Sequence, residues 1–89
     1  MLWSPYAQSL ALNNLIMARE LVISGIYRHY KRGDLYKALH LATDSDTEKP
    51  TVVYQAQYGE GRVFTRDLDV FLEKVTVDGE KKERFELVQ

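Results

Sequence analysis

The apolar pattern of this chain changes period at Gly25, and that change limits what the chain can fold into more than any other feature. Before it, Ser4 to Ser24 reads as a helix: Ser4 can cap the start, Pro5 suits the first helical position, and Gly25 is a natural stop. After it, apolar and polar residues alternate with period two among β-formers. The expected organisation is an N-terminal helix, residues 1–24, followed by a small β-barrel domain, residues 25–89.

On a helical wheel, Tyr6, Leu10, Leu15, Met17, Leu21 and Val22, with Ala7, Ala11 and Ala18, cover about half the circumference. Leu12, Ile16 and Ile23 form a second stripe. A helix of this kind spans roughly 30 Å, while a chain of 89 residues buries only about 60% of its unfolded surface. One small domain cannot cover both stripes. The expectation is a homo-oligomer assembled through the helix, with Leu12, Leu15, Ile16 and Ile23 at the interface; the competing reading is a monomer whose helix lies in a groove with its second stripe exposed.

Beyond Gly25, Ile26 to Lys31 reads as a strand, and Lys31-Arg32-Gly33-Asp34 as a turn. Leu35 to Thr43 follows, with Leu35, Leu39 and Leu41 expected on one face and Tyr36, Ala38, His40 and Ala42 on the other. Asp44 to Pro50 is a polar connection. Thr51 to Tyr58 and Arg62 to Arg66 form the next pair around Gly59-Glu60-Gly61, and Asp67 caps a single helical turn through Phe71. Val75 to Val77 is expected to pair with Arg84 to Val88 around Asp78-Gly79, a strong hairpin signal. The fold class is α+β, mainly β: a small closed or rolled barrel of about five strands preceded by one long helix.

Cysteine is absent, which removes disulfides, thiolate catalysis and cysteine-based zinc sites, and makes the cytoplasm the simplest location. MLWSPYAQSL lacks the basic and apolar regions of a signal peptide, and no run approaches the roughly 18 apolar residues of a membrane span. Net charge is −1, unevenly placed: residues 25–43 carry Arg28, Lys31, Arg32 and Lys37 against Asp34 alone, and the rest of the chain beyond them is acidic. So narrow a basic region is a weak nucleic-acid signal, because phosphate binding usually needs a wider stripe.

The stretches GIYRHYK, VVYQAQYG and FLEKVTVDGEKKERF, in this order and spacing, resemble the bacterial domain-of-unknown-function family 1653, whose pattern runs approximately GxYRHYKG, VVYRALYG, LWVRPLEMF and VDGxxxxRF. The resemblance covers Gly25 to about Val88 in four blocks. It implies a compact SH3-like β-roll, with no established catalytic activity. This chain departs from the pattern at Phe64, where the family tends to have tryptophan, at Asp67, where it has proline, and near Asp44, where it has histidine. A site built on that histidine would be altered here. The N-terminal helix looks like an addition to the family domain.

No catalytic constellation can be assembled: no nucleophile, base and orienting group come together in the sequence, and no cofactor or metal is expected. His29 and His40 could act as ligands or bases, but on separate strands they read more economically as half-exposed sheet residues. DSDTE, at Asp44 to Glu48, begins like a calcium loop, yet Lys49 and Gln55 stand where glycine and glutamate are needed. Gly59-Glu60-Gly61 lacks the context of a nucleotide loop, and Arg32-Gly33-Asp34 is a turn.

The tyrosines carry more information. Tyr27 and His29 share one face of the first strand, and Ile26, Arg28 and Tyr30 the other, so one side cannot bury every aromatic. Tyr27, His29, Tyr30, Tyr54, Tyr58 and Arg66 are the candidate ligand-binding residues, since tyrosine and arginine combine a flat face with a hydrogen-bonding end. The expected function is a noncatalytic module that self-associates and presents this surface to a small molecule or protein. The alternative is a single-stranded nucleic-acid binder in which Arg28, Lys31, Arg32 and Lys37 touch phosphates while tyrosines stack on bases.

Overall fold

The computed structural model describes residues 21–89. Seven strands and one helical turn follow in order: β1 (Ile26–His29), β2 (Leu35–Thr43), β3 (Pro50–Ala56), β4 (Val63–Asp67), α1 (Leu68–Phe71), β5 (Lys74–Val77), β6 (Glu80–Glu83) and β7 (Phe85–Leu87). Five of them form one antiparallel sheet in the order β4-β3-β2-β1-β7, and β5 and β6 form a separate hairpin.

The expected small closed or rolled barrel of about five strands is corrected by this order. Strands β4 and β7 are the two edges and do not pair with one another. Four inter-strand steps would set flat edges roughly 19 Å apart, yet the Arg66 guanidinium of β4 lies 5.6 Å from the ring centroid of Phe85 in β7. The sheet is therefore strongly curled but open. Side chains bridge its edges where a barrel would use backbone hydrogen bonds.

The long N-terminal helix is corrected in the part that can be seen. Residues 1–20, with Leu12, Leu15 and Ile16, lie outside the described residues. Leu21 and Val22 have no regular structure, Ile23 and Ser24 form a turn, and among the described residues the only helix is the four-residue α1. Gly25 is not a left-handed helix stop; Ser24 has the positive φ, 69°. Gly25 is needed because a Cβ there would meet the Val22 carbonyl oxygen at 2.8 Å and Leu87 Cδ1 at 2.9 Å. The segment is tied to β2 by Ser24 N–H to the Ala38 carbonyl (2.7 Å) and Ala38 N–H to the Gly25 carbonyl (3.0 Å).

Half of the core residues are aromatic. Leu21, Tyr27, Ala38, Val52, Tyr54, Leu68, Phe71 and Phe85 are buried together, with Tyr36, Leu41, Phe64 and Leu72 packed against them. Phe71 of α1 stacks on Phe85 with centroids 4.1 Å apart and planes 5° from parallel, and Tyr27 and Tyr54 meet Phe71 edge-on at 5.2 and 5.3 Å. The helical turn therefore covers the concave face of the sheet. Asp67 stands at its N-cap but makes no side-chain capping bond.

Two local departures set the faces. The β2–β3 register shifts between Ala38 and His40, so Leu39 is the extra residue of a bulge and the alternation reverses beyond it. Leu41 consequently joins Tyr36 and Ala38 at the core, and His40 is exposed. At Asp78 and Gly79, φ is 52° and 82°, the geometry of a two-residue hairpin turn that closes on Val77 and Glu80. So tight a turn pairs β5 with Glu80–Glu83, the next residues along, and releases Phe85–Leu87 to pair with β1. The expected pairing of Val75–Val77 with Arg84–Val88 is corrected accordingly.

Candidate functional site

The curl of the sheet leaves a cavity of about 410 Å³ on its concave face. Its position follows from strand alternation. Tyr27 pairs with Tyr36 and with Leu87, and His29 pairs with Phe85, so these side chains share the inner face of β1, β2 and β7. On the other side of the sheet order, Tyr54 pairs with both Ala38 and Phe64, and Arg66 follows Phe64 by two residues on β4. Tyr36, Tyr54, Phe64 and Phe85 thereby form the aromatic floor and walls, while His29, Arg66 and the Lys31–Asp34 turn provide the polar groups.

The aromatic groups meet mainly edge to face. Tyr36 touches Tyr54, Phe64 and Phe85 at centroid distances of 5.5, 6.3 and 5.7 Å, with interplanar angles of 70°, 72° and 83°. Tyr54 and Phe85 are buried, whereas Tyr36 and Phe64 are half-buried and keep some ring surface toward solvent. At the outer edge, the hydroxyls of Tyr36 and Tyr58 hydrogen-bond at 2.8 Å.

Arg66 is held on two sides: its Nε donates to the Tyr54 hydroxyl at 3.1 Å, and its guanidinium sits over the Phe85 ring. Among the described residues, it makes no ion pair. Arg32 is paired with Asp34 through Nη2 at 3.1 Å, so the cavity's carboxylate already has a counter-charge. Gly33, with φ 77°, lets the turn fold back so that its N–H reaches the His29 carbonyl at 3.0 Å.

Electrostatics follow from burial and these neighbours. Burial lowers the pKa of His29 below the ordinary histidine value, and the positive charges of Arg66, Arg84 and Lys31 add to that; Asp34 opposes them. The ring is neutral at pH 7, and its Nδ1 accepts a hydrogen bond from the Lys31 N–H at 3.3 Å, which places the remaining proton on Nε2. Burial, and then the bond to Tyr58, push the Tyr36 hydroxyl up to about 12.

Of the residues singled out in sequence, His29, Tyr54 and Arg66 line this cavity, and Tyr58 touches it through Tyr36. Tyr27 is a core residue, 2% exposed, whose hydroxyl accepts from the Val22 N–H at 2.8 Å. Tyr30 lines a neighbouring cleft with Arg28, Lys81 and Lys82. Ile23 is exposed in the turn before Gly25. Tyr36, Phe64 and Phe85 were not among the sequence candidates; the two-residue steps from Tyr36 to Ala38 and from Phe64 to Arg66 are the signal that would have placed the first two.

Among the described residues, no group of three His, Asp or Glu side chains could hold a metal ion, and no helix is long and apolar enough to cross a membrane.

A family model described as "Protein of unknown function (DUF1653)" matches residues 25–87. The crystal structure of a DUF1653 protein from Bordetella bronchiseptica is similar, with 37% sequence identity, a TM-score of 0.67, and coverage of 78% of this chain and 90% of that one. No curated protein matches the sequence.

Proposed function

The chain belongs to the DUF1653 family, and we propose that it is a noncatalytic binding module whose ligand, a small molecule or a protein segment, occupies the concave aromatic cavity. The observation that carries this reading is the partial exposure of Tyr36 and Phe64 beside Arg66, which is oriented by Tyr54 and Phe85 without an ion-pair partner among the described residues. Aromatic walls with a few convergent polar groups are the usual composition of a ligand pocket, and the volume lies within the usual range. Catalysis finds less support, because His29 is the cavity's one histidine and Asp34 its one carboxylate, already paired to Arg32.

The test is a fragment titration followed by backbone and side-chain NMR. Fragments that bind should shift Tyr36, Phe64 and Arg66 together. Binding of a single-stranded oligonucleotide that shifts Arg28, Lys31, Arg32 and Lys37 and weakens steeply with salt would support the nucleic-acid alternative.

Self-association through the segment carrying Leu12, Leu15, Ile16 and Ile23 is the second part of the proposal. Its support is the apolar content of that stretch of sequence and the 45% exposure of Ile23. Light scattering over a range of concentrations tests it, and a monomer at every concentration would remove it.

A further inference from the structure

We infer that the cavity selects a planar aromatic ring carrying an oxyanion, with the ring against Tyr36 and Phe64 and the oxyanion in the open fork of Arg66. This rests on the reading of the cavity as a binding site and names the chemical class it would take.

Charge excludes the opposite class. Aromatic cavities often hold cations over ring faces, but here Arg66 of the cavity's own lining already lies over Phe85, at 5.6 Å from the ring centroid. Three side chains around the cavity are positive, Lys31, Arg32 and Arg66, against Asp34 alone. With His29 neutral, that leaves a net charge of +2 from 3 − 1. An ammonium ligand would meet repulsion, and an anion would meet a field focused by apolar walls.

Geometry narrows the anion. The Nε of Arg66 is occupied by the Tyr54 hydroxyl, and the Nη atoms make no hydrogen bond or ion pair among the described residues. Because Nε and the ring of Phe85 fix the guanidinium plane, the Nη groups are positioned before any ligand arrives, which limits the ordering cost of binding. A planar fork of this kind matches the two oxygens of a carboxylate or phosphate. Lys31 forms no ion pair among the described residues and supplies a second, exposed positive charge to the cavity.

The floor then requires a flat partner. Tyr36 meets Tyr54, Phe64 and Phe85 of the cavity at 70° to 83°, so the rings form a corner and not a parallel stack, and a planar ring can lie against one wall with its edge toward another. About 410 Å³ accommodates one or two fused rings with an acidic group. An aromatic carboxylate and a nucleoside monophosphate share this chemistry.

The test compares five probes by NMR titration of the full chain: 2-naphthoate, adenosine monophosphate, cyclohexanecarboxylate, 2-naphthylmethanol and 2-naphthylmethylammonium. The expected result is that naphthoate, the nucleotide, or both shift Tyr36, Phe64 and Arg66 signals and bind at least about tenfold more tightly than the saturated acid, the neutral alcohol and the ammonium. Preference between the first two identifies the source of the oxyanion. Arg66→Gln should abolish the preference for acid over alcohol, Arg66→Lys should restore part of it, and Lys31→Gln should weaken acid binding less than Arg66→Gln. Retained alcohol binding and a cooperative unfolding transition well above the titration temperature would separate loss of the fork from loss of the fold. If the alcohol or ammonium binds the cavity as well as the acids, the class is overturned while the binding-module reading stands. If no probe shifts these residues at millimolar concentration, both are overturned.

Discussion

Arg66 and Tyr54 sit opposite one another's neighbours on β4 and β3, and the Arg66 Nε donates to the Tyr54 hydroxyl at 3.1 Å while the guanidinium reaches across the curled sheet to Phe85. One side chain thus joins an edge strand, a central strand and the opposite edge. Tyr54→Phe removes the acceptor but keeps the ring, and the expected cost is about 1 kcal/mol. Urea denaturation of Tyr54→Phe, Arg66→Gln and the double variant should give a coupling energy of similar size; additive effects would show that the bond contributes nothing to folding.

Phe71 and Phe85 are the stacked pair on which α1 closes the core, and both are at most 3% exposed. Phe71→Ala or Phe85→Ala should each cost about 3–5 kcal/mol, because the rings of Tyr27 and Tyr54 packed around this pair can only partly relax into the cavity left between α1 and the sheet. In a domain with total stability of roughly 5–15 kcal/mol, either change should leave much of the population unfolded in mild urea. Phe71→Leu should be distinctly milder.

Tyr36 should titrate well above the ordinary tyrosine value. Its hydroxyl is pushed up to about 12, first by burial and next by the bond to Tyr58, and absorbance at 295 nm should resolve it as a late step. A folded-state pKa above the unfolded value means that the native protein holds the proton more tightly. The associated stability is present below about pH 10, the model-peptide value, and is lost as pH rises toward 12. Tyr58→Phe should move the step down without bringing it to the ordinary value, since burial remains the larger cause.

Gly25 and Gly79 should respond differently to alanine. At Gly25 the new Cβ meets backbone and a leucine methyl below 3.0 Å, so β1 must move against Val22 and β7, at a cost of about 1–3 kcal/mol. At Gly79 nothing lies within 4 Å, but φ is 82°, and the cost of about 1–2 kcal/mol is conformational and confined to the hairpin. Amide exchange should therefore rise across β1 and β7 in Gly25→Ala, and only in β5 and β6 in Gly79→Ala.

Local chemistry was legible. Leu35 to Thr43 follows from a period-two run of β-formers bounded by polar turns, and Asp78-Gly79 announces its hairpin because those residues accept positive φ. Arg66 and Tyr54 were each legible as members of a set of tyrosine and arginine residues of the kind that makes contacts, but not as partners of one another. The bulge at Leu39 was not visible: nothing in LYKALHLAT marks where the alternation reverses, since the extra residue is fixed by the partner strand β3. Tyr36 was not marked by its sequence for a related reason, because its importance comes from Tyr54, Phe64 and Phe85 on three other strands, and Tyr58 in the loop after β3, converging on it.

The sequence by itself determined that the region after Gly25 is β-rich, where most of its turns fall and which family it belongs to, since these depend on residues close together in the chain. Tertiary structure decided the open edge-to-edge curl, the pairing of β7 with β1, and the gathering of Tyr36, Phe64, Phe85 and Arg66 around one cavity. The reason is the range of the interactions. A turn is set by the φ its own residues tolerate, whereas a concave site is set by how an aromatic core packs residues far apart in sequence, such as Arg66 and Phe85.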